Sequence, residues 1–125
     1  MSSYKVVETG LFDNLVNADN GKVFLHDALG LTSCEVSLNA VPEGWKVPFV
    51  HSHKQNEEIY IFLKGKGKVT LDGQTVEVKE GSCLRVGPSV KRTLENKGPG
   101  ELRFICIQAK DGSLEQFAMT DGELG

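Results

Sequence analysis

Three side chains in one short run have the types and the spacing for metal chemistry. His51 and His53 stand two residues apart, and Glu58 follows five residues later. In an extended strand the i, i+2 spacing puts both imidazoles on one face, roughly 6.6 Å apart along the backbone. Two such rings can share one ion, and a hairpin to the next strand brings the Glu58 carboxylate to it. Two imidazoles and a carboxylate suit iron, manganese, nickel or zinc and leave positions open for substrate or dioxygen. The competing view is that His51-Ser52-His53 is a solvated strand end. The chain has three histidines and two of them fall here. The third, His26, has no obvious partner and reads as structural or exposed.

These groups need a frame, and the chain around them alternates like a set of short strands. Lys22–Leu25 reads as a strand. Residues 34–41 alternate with period two, with Cys34, Val36, Leu38 and Ala40 on the face expected to be buried. The His run, 46–53, is expected to be a strand, followed by a polar bend at 54–57. Ile59–Leu63 is apolar on both faces and is expected to be covered on both sides or to form a dimer contact. Strands over 68–71 and 75–78 flank Asp72-Gly73, a tight-hairpin signal because the turn needs positive φ. Further strands are expected over 82–86, 91–95 and 101–109. Val6-Val7 is a possible strand start, Asp19-Asn20-Gly21 is a turn signal, and 28–32 is too short and glycine-broken for a long helix. The tail, 111–125, is compatible with an edge strand, a short helix or a loose arm. Roughly eight to ten short strands without a long helix argue for a closed antiparallel barrel or sandwich, with its polar groups converging inside one mouth.

At 125 residues the chain suits one domain, 1–125, with a single core. Its net charge of −3 and its lack of basic runs argue against nucleic acid as a partner. No apolar stretch approaches the roughly 20 residues that cross a bilayer, which argues against a membrane partner. The first residues lack the apolar core of a signal peptide. Cys34, Cys83 and Cys106 are odd in number and widely spaced, which suits reduced thiols in a cytoplasmic protein.

At this point the residues resemble the cupin family. The first family motif runs from a glycine through His-x-His and a glutamate to a second glycine. Here it matches His51-Ser52-His53, Glu58 and Gly65, with Gly44 one residue early. The second motif matches in spacing from Gly81 through Gly87-Pro88-Ser89 to Asn96, 15 residues after the first. The resemblance implies an all-β fold, a double-stranded β-helix or jelly-roll barrel of the RmlC-like type spanning about 22–110, often a homodimer. It also implies a metal held by His51, His53 and Glu58. The family's fourth ligand, a histidine in the second motif, is replaced here by Arg92, which stays charged and cannot ligate a metal. The resemblance therefore implies a weaker three-ligand site that either holds a divalent metal or is metal-free.

Arg92 admits three roles: binding an anionic ligand group in the barrel, neutralising Glu58 in a metal-free barrel, or reaching solvent. Tyr60 and Phe62 share the parity of Glu58 and either line the cavity or fill the core. Gln55 is either a polar ligand contact or a bend residue, and Glu57 points away from Glu58. Cys106 and Gln108 are candidates for the inside of the last long strand. Two classes of function follow. One is a metal-dependent dioxygenase or isomerase acting on a small polar or anionic molecule. The other is a metal-free sensor or binding barrel for a sugar or carboxylate, held through Arg92, Gln55, Tyr60 and Phe62. A purely structural dimer is a further possibility.

Overall fold

The computed structural model describes residues 3–10 and 21–125. Among them the strands are β1 Lys22–Phe24, β2 Glu35–Val41, β3 Asn56–Lys64, β4 Lys66–Leu71, β5 Gln74–Lys79, β6 Cys83–Val86, β7 Arg92–Asn96 and β8 Leu102–Lys110. One four-residue helix, α1 (His26–Leu29), separates β1 from β2. Every pairing is antiparallel. The strands form a five-stranded sheet, β1-β2-β8-β3-β6, and a three-stranded sheet, β5-β4-β7. The chain is therefore nearly all β, as its alternating sequence requires. No helix among the described residues is long and apolar enough to cross a membrane.

Local chemistry sets the corners. Asp72 (φ 48°) and Gly73 (φ 83°) turn β4 into β5 with both central residues at positive φ. The Asp72 carboxylate also accepts the Lys91 backbone N–H at 2.9 Å, tying this turn to the start of β7. Gly65 stands at φ 92° beside the irregularity that ends β3, and a Cβ there would lie 2.5 Å from the Glu101 carbonyl oxygen. Only glycine fits that approach.

The two sheets close on an apolar cluster at one end. Val41, Phe62, Leu102 and Phe104 from the large sheet meet Val69, Val78 and Leu94 from the small one, all buried. Burying each such side chain is worth about 1.5–3 kcal/mol, so this cluster anchors the fold. Away from it the inner face of the large sheet becomes polar in steps. Register places Asn39, Phe104 and Phe62 in one row, Ser37, Cys106 and Tyr60 in the next, and Glu35, Gln108 and Glu58 in the third.

Three expectations change. The His run forms no strand: it is an irregular extended segment touching β7 only through bridges at Lys46 and His51. Pro48 lacks an N–H and cannot sustain a ladder there. Second, Glu35, Ser37 and Asn39 face the cavity, while on the opposite face of β2 Val36 and Leu38 are only half-buried and Ala40 alone is buried as expected. Alternation shows that two faces differ but not which one a barrel encloses. Third, Ile59 and Ile61 are only half-buried and Leu63 is 38% exposed, so β3 is not covered on both sides. Val6 and Val7 form no strand, and the tail is exposed and irregular apart from one 3-10 turn at Met119–Asp121. The turn signal at Asp19-Asn20 lies outside the described residues.

Candidate metal centre

The two imidazoles and the carboxylate come from opposite walls. His51 is seated by a reciprocal backbone pair with Arg92, its N–H donating to the Arg92 carbonyl at 3.2 Å and its carbonyl accepting the Arg92 N–H at 2.9 Å. The His53 N–H donates to the Pro88 carbonyl at 2.8 Å. Both rings therefore hang from the β7 side, while Glu58 rises from β3 in the large sheet. The two rings stand edge to face with centroids 5.3 Å apart. One donor atom from each of His51, His53 and Glu58 lies within 4.8 Å of the others.

The donor set fits a divalent cation on an independent ground. His51 Nδ1 and His53 Nε2 are buried without a hydrogen-bond partner. Buried ring nitrogens are normally satisfied, so a pair left open toward one carboxylate calls for an electrophile. His53 Nε2 lies 3.4 Å from Glu58 Oε2. Burial holds the His51 pKa below its ordinary value of 6.5, with Glu58 opposing and His53, Arg92 and Lys22 assisting. A neutral ring is the form that ligates.

Glu58 is 4% exposed and divides its two oxygens. Oε1 accepts Arg92 Nη1 at 2.7 Å and the Tyr60 hydroxyl at 2.9 Å. Oε2 faces His53, with the Cys106 thiol 3.7 Å away. Burial alone would raise the Glu58 pKa. The hydrogen bonds from Arg92 and Tyr60, with the charges of His53 and Arg92, outweigh it and hold the carboxyl below its ordinary value. Burial and the adjacent carboxylate push the Tyr60 hydroxyl well up, and the Cys106 thiol up to about 12. Both therefore stay protonated at neutral pH.

Arg92 is 2% exposed, so it does not reach solvent. Besides Glu58, its fork donates through Nε to the Val90 carbonyl, and through Nη2 to the carbonyls of Gly87, Pro88 and Val90 at 2.6–3.0 Å. The guanidinium thus neutralises Glu58 and pins the 87–90 loop on which His53 rests. Neutralisation and metal binding are compatible here, because only one carboxylate oxygen is taken.

A cavity of about 430 Å³ opens beside these groups. Tyr60 lines it, as do Cys106 and Gln108. Phe62 and Gln55 do not. Phe62 is 1% exposed in the apolar cluster because its row lies at the closed end, and it packs against Phe104 at 5.5 Å between ring centroids. Gln55 is exposed at the bend before β3, where its carbonyl accepts the Asp111 N–H. Glu57 also leaves the site, pairing with Arg85 at 2.8 Å. Asn96 holds the 97–100 loop, donating to the Val41 and Gly100 carbonyls. Residues not singled out from sequence also face the cavity: Lys22, Glu35, Ser37, Asn39 and Trp45. The signal for three of them was the polar parity of β2.

Comparison with known proteins agrees with this architecture. The family model described as Cupin domain matches residues 38–108. A cupin protein from Bacteroides fragilis is 46% identical, superposes with a TM-score of 0.86, and is matched over 100% of this chain and 99% of its own. A predicted oxalate decarboxylase from Thermotoga maritima is 27% identical with a TM-score of 0.57, over 60% of this chain and 64% of its own. The uncharacterised protein MJ1618 of Methanocaldococcus jannaschii is 39% identical over 66 residues, 53% of this chain, and this match spans only 52% of that relative's length. With a family model covering more than half of its length and an antiparallel barrel frame around the His-His-Glu group, this chain belongs to the cupin family.

Proposed function

We propose that this cupin binds one divalent metal ion through His51, His53 and Glu58 and takes a small polar or anionic molecule into the adjoining cavity. The observation that carries this reading is the pair of buried, unpartnered ring nitrogens facing Glu58 Oε2. When bound, a metal with three protein ligands supplies a Lewis acid or, if redox-active, a dioxygen anchor. The chain's own residues do the rest. Arg92 fixes the carboxylate rotamer, Tyr60 donates to the same oxygen, and the apolar cluster closes the cavity against water from below. Isomerase and dioxygenase chemistry both suit this arrangement. Elemental analysis of protein purified without chelator tests the reading, beside a His51→Ala, His53→Ala double variant. Near-stoichiometric iron, manganese, nickel or zinc, lost in the variant, is expected. No uptake after anaerobic loading with each ion overturns it.

The second reading, a metal-free binding barrel, is favoured by one observation: Arg92 already balances the Glu58 charge. In that case a polar ligand would donate to the open imidazole nitrogens directly.

The assembly we propose is a homodimer. Its support is the outer face of the five-stranded sheet, where Val36, Leu38, Ile59, Ile61, Ile105 and Ile107 lie on neighbouring strands and remain half-exposed. A cytoplasmic setting is proposed on the three free cysteines, which suit a reducing compartment.

A further inference from the structure

With Arg92 committed to Glu58 and three backbone carbonyls, the cavity needs another cation if it is to recognise an anion. Among the described residues Lys22 is the one lysine that lines it. It stands on β1, the edge strand outside the span of the family model. Its ammonium lies over the Phe24 ring, 5.4 Å from the centroid, and enters no ion pair among the described residues. The lining carboxylate on β2, Glu35, accepts the N–H groups of Leu25 and His26 through Oε1 at 3.2 and 2.9 Å.

Directly across the strand pair from Lys22 is Asn39. Asn39 is 1% exposed and also lines the cavity. Its Nδ2 donates to the Ser37 carbonyl, the Ser37 hydroxyl and the Phe104 carbonyl, at 3.2, 3.1 and 3.4 Å. Flipping the amide would set one carbonyl against two others, so its orientation is fixed. Asn39 Oδ1 is then left buried with no donor. An orphaned buried acceptor costs about 1–3 kcal/mol, and an incoming O–H or N–H group recovers it. Cross-strand side chains on one face lie about 4.5–5.5 Å apart at Cβ. The two side chains therefore leave the same wall as neighbours, with the Lys22 ammonium over Phe24 and the open Asn39 acceptor on the adjoining strand.

We infer that Lys22 and Asn39 form the recognition end of the cavity, and that its ligand is a small hydroxylated anion, its anionic oxygens on Lys22 and its hydroxyl donating to Asn39 Oδ1. The inference rests on the cavity being a ligand site and not on the metal. A carboxylate and a phosphate share this chemistry, and the test separates them.

Trp45, the chain's single tryptophan, lines the same cavity and reports occupancy by its emission. Lactate and glycerol 3-phosphate are titrated at fixed ionic strength into the full chain, chelated and zinc-loaded, with acetate, inorganic phosphate and glycerol as partners lacking one group. Saturable binding of one hydroxylated anion is expected, stronger than that of its partners. It should weaken roughly tenfold to hundredfold in Lys22→Met and return to within a few-fold of wild type in Lys22→Arg. Whichever anion saturates first names the acid class. Equal binding by Lys22→Met and wild type overturns the inference, as does glycerol binding as well as its phosphate, or no saturation by either anion. Lys22-dependent binding in chelated protein upholds it even if the metal reading fails.

Discussion

Arg92 Nη1 lies 2.7 Å from Glu58 Oε1, while His53 Nε2 lies 3.4 Å from Oε2 of the same carboxylate. One side chain thus faces a permanent cation with one oxygen and a half-buried imidazole with the other. A histidine in place of Arg92 would have offered a fourth donor. The guanidinium instead supplies a fixed charge and a scaffold for the loop that seats His53.

Arg92→Met leaves a buried carboxylate without its partner and is expected to cost about 3–5 kcal/mol. Replacing both partners, with Glu58→Leu added, should recover much of that loss because no charge is left uncompensated. Urea unfolding of chelated protein measures both. A single variant as stable as wild type would mean that Arg92 does not carry the loop.

Acid should destabilise the chelated protein through two groups with the same sign. The folded pKa of Glu58 is depressed, so its stabilisation is complete above the ordinary carboxylate value of 4.5 and is lost as pH falls through the folded value. The folded pKa of His51 is also depressed. The unfolded chain then takes up a proton there first, and stability declines as pH falls below 6.5. Denaturation midpoints from pH 8 down to about pH 2 should decline in both windows. Glu58→Gln should remove the lower one, and a flat profile in that variant's parent would contradict the assignment.

Metal uptake should follow the same titration. Because burial holds the His51 pKa below its ordinary value, its Ala variant should lose loading at every pH, and acid should release the metal from the wild type as the imidazoles take up protons. Equilibrium dialysis against zinc at each pH reads this directly. Uptake unchanged from pH 7.5 to pH 4 would rule the imidazoles out as ligands.

Gly65→Ala tests the corner beneath β3. An alanine there carries positive-φ strain of about 1–2 kcal/mol and pushes its Cβ toward the Glu101 carbonyl. A total loss above about 2 kcal/mol is expected, against only the positive-φ strain of about 1–2 kcal/mol at Gly73, where nothing lies within 4 Å of an added Cβ. Thermal unfolding of the two variants decides it.

The proposed dimer predicts that Ile59→Lys and Ile107→Lys, neighbours across β3 and β8 on the outer face, each shift the protein to monomer in sedimentation without unfolding it. A monomeric wild type across the accessible concentration range would remove the proposal.

The sequence by itself determined much of this molecule. Alternation and turn chemistry placed all eight strands to within about three residues and added one at 46–53 that does not form, because apolar periodicity and positive-φ glycines are local facts. Motif spacing singled out His51, His53, Glu58 and Arg92, since ligand types are written in the chain. Only the tertiary structure decided which face of β2 is enclosed, because alternation is symmetric between inside and outside. Only it decided that Phe62 fills the closed end while Tyr60, one row nearer the mouth, reaches the cavity. The partner of Arg92 lies 34 residues away along the chain, and whether its fork turns to Glu58, to ligand or to water is settled by burial and by the carbonyls at 87–90. The juxtaposition of Lys22 with Asn39 is likewise a consequence of strand register, which no single segment encodes.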